Sequence, residues 1–185
     1  MANVFVRAAT SADAASLAEL QHDAWLARYA LVLPPEVLAD EPISTDAWRD
    51  VCESADARSD TLVLLAVSDD TIVGVLASVP ATDPDLADEG WVEIAELAVA
   101  ADHVGEGHGS RLLAAWADLS RDSGTITGGV MWIHAADDDL RGLLSAAGFA
   151  ADGAHRTLDL RGDGTVTVRM IRLAALVGST DTDTT

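Results

Sequence analysis

The chain has 185 residues, of which 49% are apolar, enough for one domain with a sizeable core and short for two. It carries 31 acidic side chains against 11 basic ones, all arginine; the net charge of −20 opposes nucleic-acid and anionic-membrane binding and attracts cationic substrates. No apolar run approaches the ~20 residues of a membrane span, the start lacks the pattern of a secretory signal, and a lone Cys52 excludes an internal disulfide framework, so the expectation is a soluble, cytoplasmic protein.

Val4 to Ala8 reads as a first strand. Thr10 caps a helix, with Asp13 placed to complete a capping box. Leu17, Leu20, Ala24 and Ala27 recur at helical spacing and give that helix one apolar stripe. Pro34 and Pro35 break it, and a second helical stretch is expected from Pro35 to about Asp40. A helix around Thr45 to Ser54 carries Trp48 and Cys52 on one face. Thr61 to Val67 and Thr71 to Val79 form a hairpin about the Asp69–Asp70 turn. The acidic, proline-containing segment from Pro80 to Gly90 is a loop. Trp91 to Val99 is the next strand, and the helix from about Gly107 to Ser120 buries Leu112, Ala115, Trp116 and Leu119. Gly129 to His134 is a strand, Asp138 to Ala147 a helix ended by Gly148, and Phe149 begins a short strand. Thr157–Leu160 and Thr165–Arg172 make a last hairpin. The order is βααββββαβαββ or close to it, an α+β domain over residues 1–176 around one mixed sheet. The polar stretch from Val177 to Thr185 reads as a disordered tail.

One junction stands out. The strand Trp91–Val99 runs through a short turn into Val104-Gly-Glu-Gly-His-Gly-Ser110 and then a helix. The free N–H groups and the dipole of a helix start favour an anion such as a phosphate. Glycines at 105, 107 and 109 leave room for a diphosphate against the backbone. The loop is not a P-loop, because no Gly-Lys-Ser/Thr follows. Its glycine spacing also misses the dinucleotide pattern by one residue.

On these residues the chain resembles the GNAT superfamily of acyl-CoA-dependent N-acyltransferases. Glu93-Ile-Ala-Glu-Leu97-Ala-Val99 is similar to the family's Glu-x-x-x-Leu-x-Val strand. Val104-Gly-Glu-Gly107-His-Gly109 matches its Gln/Arg-x-x-Gly-x-Gly/Ala loop except at the first position. Trp132-Ile-His134, a helix and Ala147-Gly148-Phe149 echo the family's fifth strand, next helix and Leu-Gly-Phe ending. The opening, with Ala24-Trp25, Tyr29 and Leu33-Pro34, looks like its first helix and substrate-side loop. The resemblance spans about residues 3 to 173. It implies a GNAT-like fold, a central mixed, mostly antiparallel sheet flanked by helices. It also implies acetyl transfer from acetyl-CoA to a primary amine of a small molecule or peptide, without a metal.

Two departures matter. Glu106 adds a negative charge inside the loop, where Val104 replaces the usual Arg or Gln. Across ~6 Å of water that charge repels a phosphate by about 0.7 kcal/mol, a tolerable amount, and Arg111 is placed to offset it. The Tyr that many members use to protonate the leaving thiolate corresponds to Leu144, and the usual Asn at the start of that helix to Asp137. These departures keep an alternative open, a non-catalytic coenzyme A-binding sensor or scaffold.

The implied chemistry makes three demands. An alkylamine of pKa ~10.4 is about 0.1% neutral near pH 7.4, a handicap of roughly 4 kcal/mol. The thioester carbonyl must be polarised, and the thiolate must be stabilised or protonated. Glu93 is the first candidate for the base. Regular alternation puts it on one face with Ala95, Leu97 and Val99, and Glu96 on the other. A bulge would reset that parity, so Glu96 is the second candidate. His134, at a strand end beside the cofactor groove, is a candidate proton shuttle. The backbone of Leu97, Ala98 and Val99 is expected to pair with the pantetheine arm. Val104, Gly105, Glu106, Gly107, His108, Gly109 and Ser110 are expected around the diphosphate, with Asp137 nearby. His108 is expected to cover the cofactor or face solvent. Trp25 and Tyr29 are expected to line the acceptor pocket. No metal-ligand spacing is visible among the scattered histidines and Cys52. A homodimer is compatible with the apolar edges.

Overall fold

The computed structural model describes residues 3–30, 33–34, 44–86 and 90–178. Among these residues seven strands form one sheet: β1 (Val4–Ala8), β2 (Leu62–Ser68), β3 (Thr71–Pro80), β4 (Trp91–Val99), β5 (Gly128–His134), β6 (Ala150–Asp159) and β7 (Thr167–Leu176). The spatial order is β1-β2-β3-β4-β5-β7-β6. Neighbours are antiparallel except β4 and β5. Among the described residues four helices cover it: α1 (Ala14–Tyr29), α2 (Thr45–Ala57), α3 (His108–Ser123) and α4 (Asp138–Ala146). The expected helix from Pro35 to Asp40 lies outside the described residues. Among the described residues, no helix is long and apolar enough to cross a membrane.

Local chemistry explains most boundaries. The Asp13 carboxylate accepts the Thr10 N–H at 2.8 Å and a two-pronged Arg7 guanidinium at 2.7 and 2.9 Å. This holds a 3-10 turn, Ser11–Asp13, ahead of α1. Ser44 Oγ accepts the Ala47 N–H and starts α2. Asp69 and Asp70 both take positive φ, 45° and 66°, which suits the right-handed twist of the β2–β3 hairpin. Two expectations about faces are corrected. Leu119 is 44% exposed, and Leu113 takes its place in the core of α3. Ala27 turns out of the α1 stripe and borders a cleft. The last hairpin is longer than expected, because β6 runs unbroken from Ala150 through a bulge. At the chain's end Val177 N–H bonds Thr127 O, and Arg121 holds Gly178 O, so contacts extend past residue 176.

The two sheet faces have separate cores. On one face α1 and α2 bring Leu17, Ala18, Trp48 and Cys52 against Leu65, Val75, Ala77 and Ala98. On the other, α3 and α4 bring Leu112, Trp116, Leu140 and Leu144 against Leu76, Ile94, Leu97 and Ile133.

The functional part of the fold is the meeting of β4 and β5. They pair only at Trp91↔Gly128, Val92↔Gly129 and Glu93↔Val130. Beyond that β4 stays with β3 up to Val99↔Gly74, and β5 with β7 up to His134↔Met170. The paired end requires glycine. A Cβ on Gly128 would sit 2.6 Å from the Trp91 ring, and one on Gly129 would sit 2.4 Å from the Trp116 ring. Two tryptophans therefore close one end of the seam, and the other end opens. Gly129→Ala is expected to destabilise the fold by about 1–3 kcal/mol, since neither rigid ring nor strand can yield. Gly142→Ala, with open space around its Cβ on α4, is expected to be neutral or slightly stabilising. Urea midpoints for the two variants check this.

Candidate active site

The open end of the seam exposes main-chain groups of β4. Ala100 N–H bonds Val73 O, so two-residue alternation turns Ala98 toward β3 and Leu97 and Val99 toward the gap. Arg28 Nη2 reaches Leu97 O at 3.4 Å from that side. The N–H groups of Leu97 and Val99 thus lie on a short edge without a strand partner, the Leu97 N–H held by the Glu96 carboxylate, and Ala98 contributes its buried side chain to the first core.

A bulge in β4 sets the chemistry beside that edge. Glu96 pairs with Ala77 and Ile94 with Ser78, leaving Ala95 as the extra residue. Glu93, opposite Val79, and Glu96, opposite Ala77, therefore share one face. The regular alternation expected for this strand is corrected in that respect. Both carboxylates line a pocket of about 240 Å³ with Trp25, Arg28, Tyr29, Trp132, Arg156 and Met170. Gln21 donates to Glu96 at 2.6 Å and accepts from Trp48 Nε1 at 2.9 Å. Burial raises the pKa of both acids. For Glu96 the Gln21 hydrogen bond opposes the shift, and for Glu93 the Arg156 charge does. Arg156 lies 4.2 Å above the Trp132 ring. Trp132 Nε1 in turn donates to Asp83, which Arg172 also holds. Arg172 is 4% exposed and binds Asp83, Asp85 and Asp152 together, so it fixes the start of the 80–90 loop beside the pocket.

Two further clefts continue from this pocket across the gap. One, of about 550 Å³, is bordered by Tyr29, Val99, Val104, His134 and Asp137. The other, of about 350 Å³, is bordered by Leu97, His103, Gly105, Gly107, Gly109 and Ser110. Arg28 and Leu140 line all three. His134 lies in the second cleft, away from the pocket that holds Glu93 and Glu96.

In the loop, Gly105 and Gly107 take φ of 87° and 83°, conformations that glycine tolerates without strain. Gly109 has a packing role, because a Cβ there would lie 2.9 Å from Leu143 Cδ2 of α4. Arg111 donates to the Glu106 carbonyl at 2.8 Å, so it braces the backbone and leaves the Glu106 carboxylate to others. That carboxylate lies 2.9 Å from His103 Nδ1 and 3.2 Å from His108 Nε2. His108 is 2% exposed, so of its two expected places, over the cofactor or in solvent, the second is excluded. The expectation of no metal-ligand grouping also changes in one respect, since the fold gathers donor atoms of His103, Glu106 and His108 within 4.8 Å of one another.

The family model for the acetyltransferase (GNAT) family matches residues 17–149, most of the chain. The chain belongs to that family. It is an acetyltransferase, a transferase of acyl groups. A search of the curated proteins found no match. Among solved structures, a putative acetyltransferase, YncA from Salmonella typhimurium with its cofactor acetyl-CoA, superposes with a TM-score of 0.75 at 19% identity, covering 96% of this chain and 95% of that one. The PaiA N-acetyltransferase from Thermoplasma acidophilum in complex with coenzyme A gives 0.73 at 17% identity, covering 92% and 98%. A ribosomal-protein-alanine N-acetyltransferase from Brucella melitensis gives 0.73 at 19% identity, covering 93% and 99%. These likenesses establish the GNAT fold.

Within the GNAT frame, Leu144 is wholly buried in the core between α4 and the sheet, so position 144 offers no proton donor. Asp137 caps α4, accepting the Leu140 N–H at 3.0 Å, with its second oxygen 3.7 Å from Arg28 Nε. Val104 is 68% exposed at the mouth of the clefts. Arg28, Gln21 and Arg156 complete the site and carry no sequence motif, and Trp132, part of the fifth-strand resemblance, joins them in the pocket wall. Arg28 and Gln21 lie on α1 and Trp132 on β5 beside the gap, and Arg156 reaches the pocket from the edge strand β6 across the Trp132 ring.

Burial of Glu96 has a consequence for stability. Its pKa is raised on folding, so the folded state binds its proton more tightly than the unfolded chain does. Stability then falls as pH rises from the ordinary carboxyl range through the raised value. Glu96→Gln keeps a hydrogen-bonding partner for Gln21 and removes this loss. Urea denaturation is expected to show the variant gaining on the wild type between pH 4 and pH 7.5; a constant difference across that range would contradict the shift.

Proposed function

We propose that the protein transfers the acetyl group of acetyl-CoA to a primary amine of a small molecule or a peptide terminus, with Glu93 and Glu96 as the proton-accepting carboxylates. The bulge at Ala95 carries this reading, because it aims both acids into one pocket beside the free edge of β4. The donor supplies an activated thioester.

The residues present fit that donor. Val99, and Leu97 where the Glu96 carboxylate gives way, offer N–H groups without a strand partner to an amide-bearing arm, as an added strand would meet them. Gly105 and Gly107 open the loop, and the start of α3 at His108 to Ser110 turns its N–H groups toward a diphosphate. Val104 and Asp137 border the passage between them. The pocket of about 240 Å³ suits one amine head, with Trp25, Tyr29 and Trp132 as its aromatic walls. Two carboxylates in an acidic protein favour approach of a cationic amine. Their raised pKa values bring them toward the range in which a carboxylate accepts a proton usefully near neutrality. Glu93 is the first choice as base. Glu96, tied to Gln21, relays or holds charge. Tyr29, the chain's single tyrosine, lines both the pocket and the neighbouring cleft, and burial keeps its phenol protonated. It is the candidate to donate a proton to the leaving thiolate in place of position 144. His134 borders the donor cleft and is placed for a shuttle to solvent there.

Thiol release from acetyl-CoA, measured across a panel of amines and matched alcohols, tests the acceptor class; turnover confined to amines is expected, and turnover on alcohols alone would overturn it. Glu93→Gln is expected to lower kcat/KM by ~10²-fold or more and to abolish the acidic limb of the pH profile. An unchanged profile removes Glu93 from the reaction. Gly107→Glu adds bulk and negative charge at a backbone of positive φ and is expected to weaken acetyl-CoA binding by at least 100-fold by calorimetry. Gly107→Ala shares the backbone strain without the charge and should lose less. Equal losses would place the effect in the loop's conformation, and unchanged affinity would place the diphosphate elsewhere.

A further inference from the structure

We propose that His103, Glu106 and His108 form a binding site for a transition-metal dication such as Zn²⁺ or Co²⁺, and that its occupancy strengthens the loop's grip on the donor's diphosphate. The second half of this inference rests on the loop assignment made above. The first half stands on the cluster alone.

The donor set is two imidazoles and one carboxylate, a combination that suits zinc, cobalt or nickel better than magnesium or calcium. The spacing is close to what such an ion needs. In a tetrahedral site with bonds of about 2.0–2.1 Å, neighbouring ligand atoms lie about 3.3 Å apart. Glu106 Oε2 is 2.9 Å from His103 Nδ1 and 3.2 Å from His108 Nε2, and all three atoms lie within 4.8 Å of one another. The rings meet edge to face with centroids 5.8 Å apart, so their nitrogens converge without stacking. Closing the set around an ion requires small side-chain adjustments and no refolding.

His108 makes the set partly preformed. It is 2% exposed and its Nε2 points into the cluster, so burial fixes the ring with that nitrogen toward Glu106. His103 and Glu106 are partly exposed, at 30% and 55%, which leaves a path for the ion and a fourth position for water.

The coupling follows from charge. Glu106 puts a carboxylate in a loop whose other features favour an anion. His103 Nδ1 and His108 Nε2, at 2.9 and 3.2 Å from the Glu106 carboxylate, offset that charge in part. A dication replaces that partial compensation with a full one. By linkage, metal and donor then raise each other's affinity by the same factor. The acetyl transfer itself needs no metal.

The full-length protein, stripped with chelator, is titrated with Co²⁺ and separately with Zn²⁺. One saturable equivalent with visible absorption between about 500 and 650 nm is expected for a four- or five-coordinate cobalt site. His103→Ala and Glu106→Gln are each expected to weaken binding at least tenfold, and His155→Ala to leave it unchanged. Mg²⁺ controls for general attraction to the acidic surface. No saturable binding, or equal binding by His103→Ala and Glu106→Gln, overturns the site. Acetyl-CoA, which has no free thiol to capture zinc, is then titrated with and without Zn²⁺. At least threefold tighter binding with zinc is expected; unchanged or weaker binding overturns the coupling. Failure of the metal-free protein to bind acetyl-CoA would instead refute the loop assignment, and the cobalt titration would be unaffected by it.

Discussion

The parting of β4 from β5 is the constraint on which the rest of the molecule depends. Three residue pairs hold the strands together, and they hold because Trp91 and Trp116 cover glycines at 128 and 129. Past Glu93 and Val130 each strand keeps its other neighbour and abandons this one. A sheet interior normally satisfies every N–H and C=O internally. Here a stretch of β4 has no strand partner at the centre of the sheet, and only side chains, Arg28 at Leu97 O and Glu96 at the Leu97 N–H, reach its main chain. An unpaired edge in that position is a standing requirement for a partner, and an extended chain of amides meets it.

The gap also joins two chemically distinct faces. On the α3 and α4 side lie the glycine loop, the orphan N–H groups of a helix start and the cleft that leads inward. On the α1 side lie two carboxylates and a set of aromatic walls. A single extra residue, Ala95, makes the second face what it is, because without the bulge Glu93 and Glu96 would point to opposite sides. Arg28 stands at the junction, bonded to Leu97 O and close to Asp137, and is common to the three clefts of the site. Arg172 does a comparable job at the far wall by gathering three aspartates. In a chain so rich in acid, these two arginines keep the walls of the site from repelling each other.

Much of this was legible beforehand. The strand limits of β1 and β4, the box between Thr10 and Asp13 and the glycine loop before α3 are local, and local patterns carry them. The parity of β4 was not legible, because a bulge is decided by register against β3 and leaves no mark in Glu93-Ile-Ala-Glu. Leu119 and Leu113 exchanged places for a similar reason, since helical spacing fixes a stripe only to within a residue or so. The histidines at 103 and 108 looked scattered, and only the turn after β4 folds them onto Glu106. Arg28 and Arg156 belong to the site through long-range packing, which no short motif records, and the motif that holds Trp132 gave no sign of its place in the pocket wall.

The central claim is that the free edge of β4 grips the acyl carrier through the main chain. Amide hydrogen exchange of the protein with and without saturating acetyl-CoA tests it most directly. The account predicts that the Leu97 and Val99 amides become strongly protected and that Ala98, already bonded to β3, changes little. Saturation with acetyl-CoA that leaves Leu97 and Val99 exchanging as fast as before would contradict it.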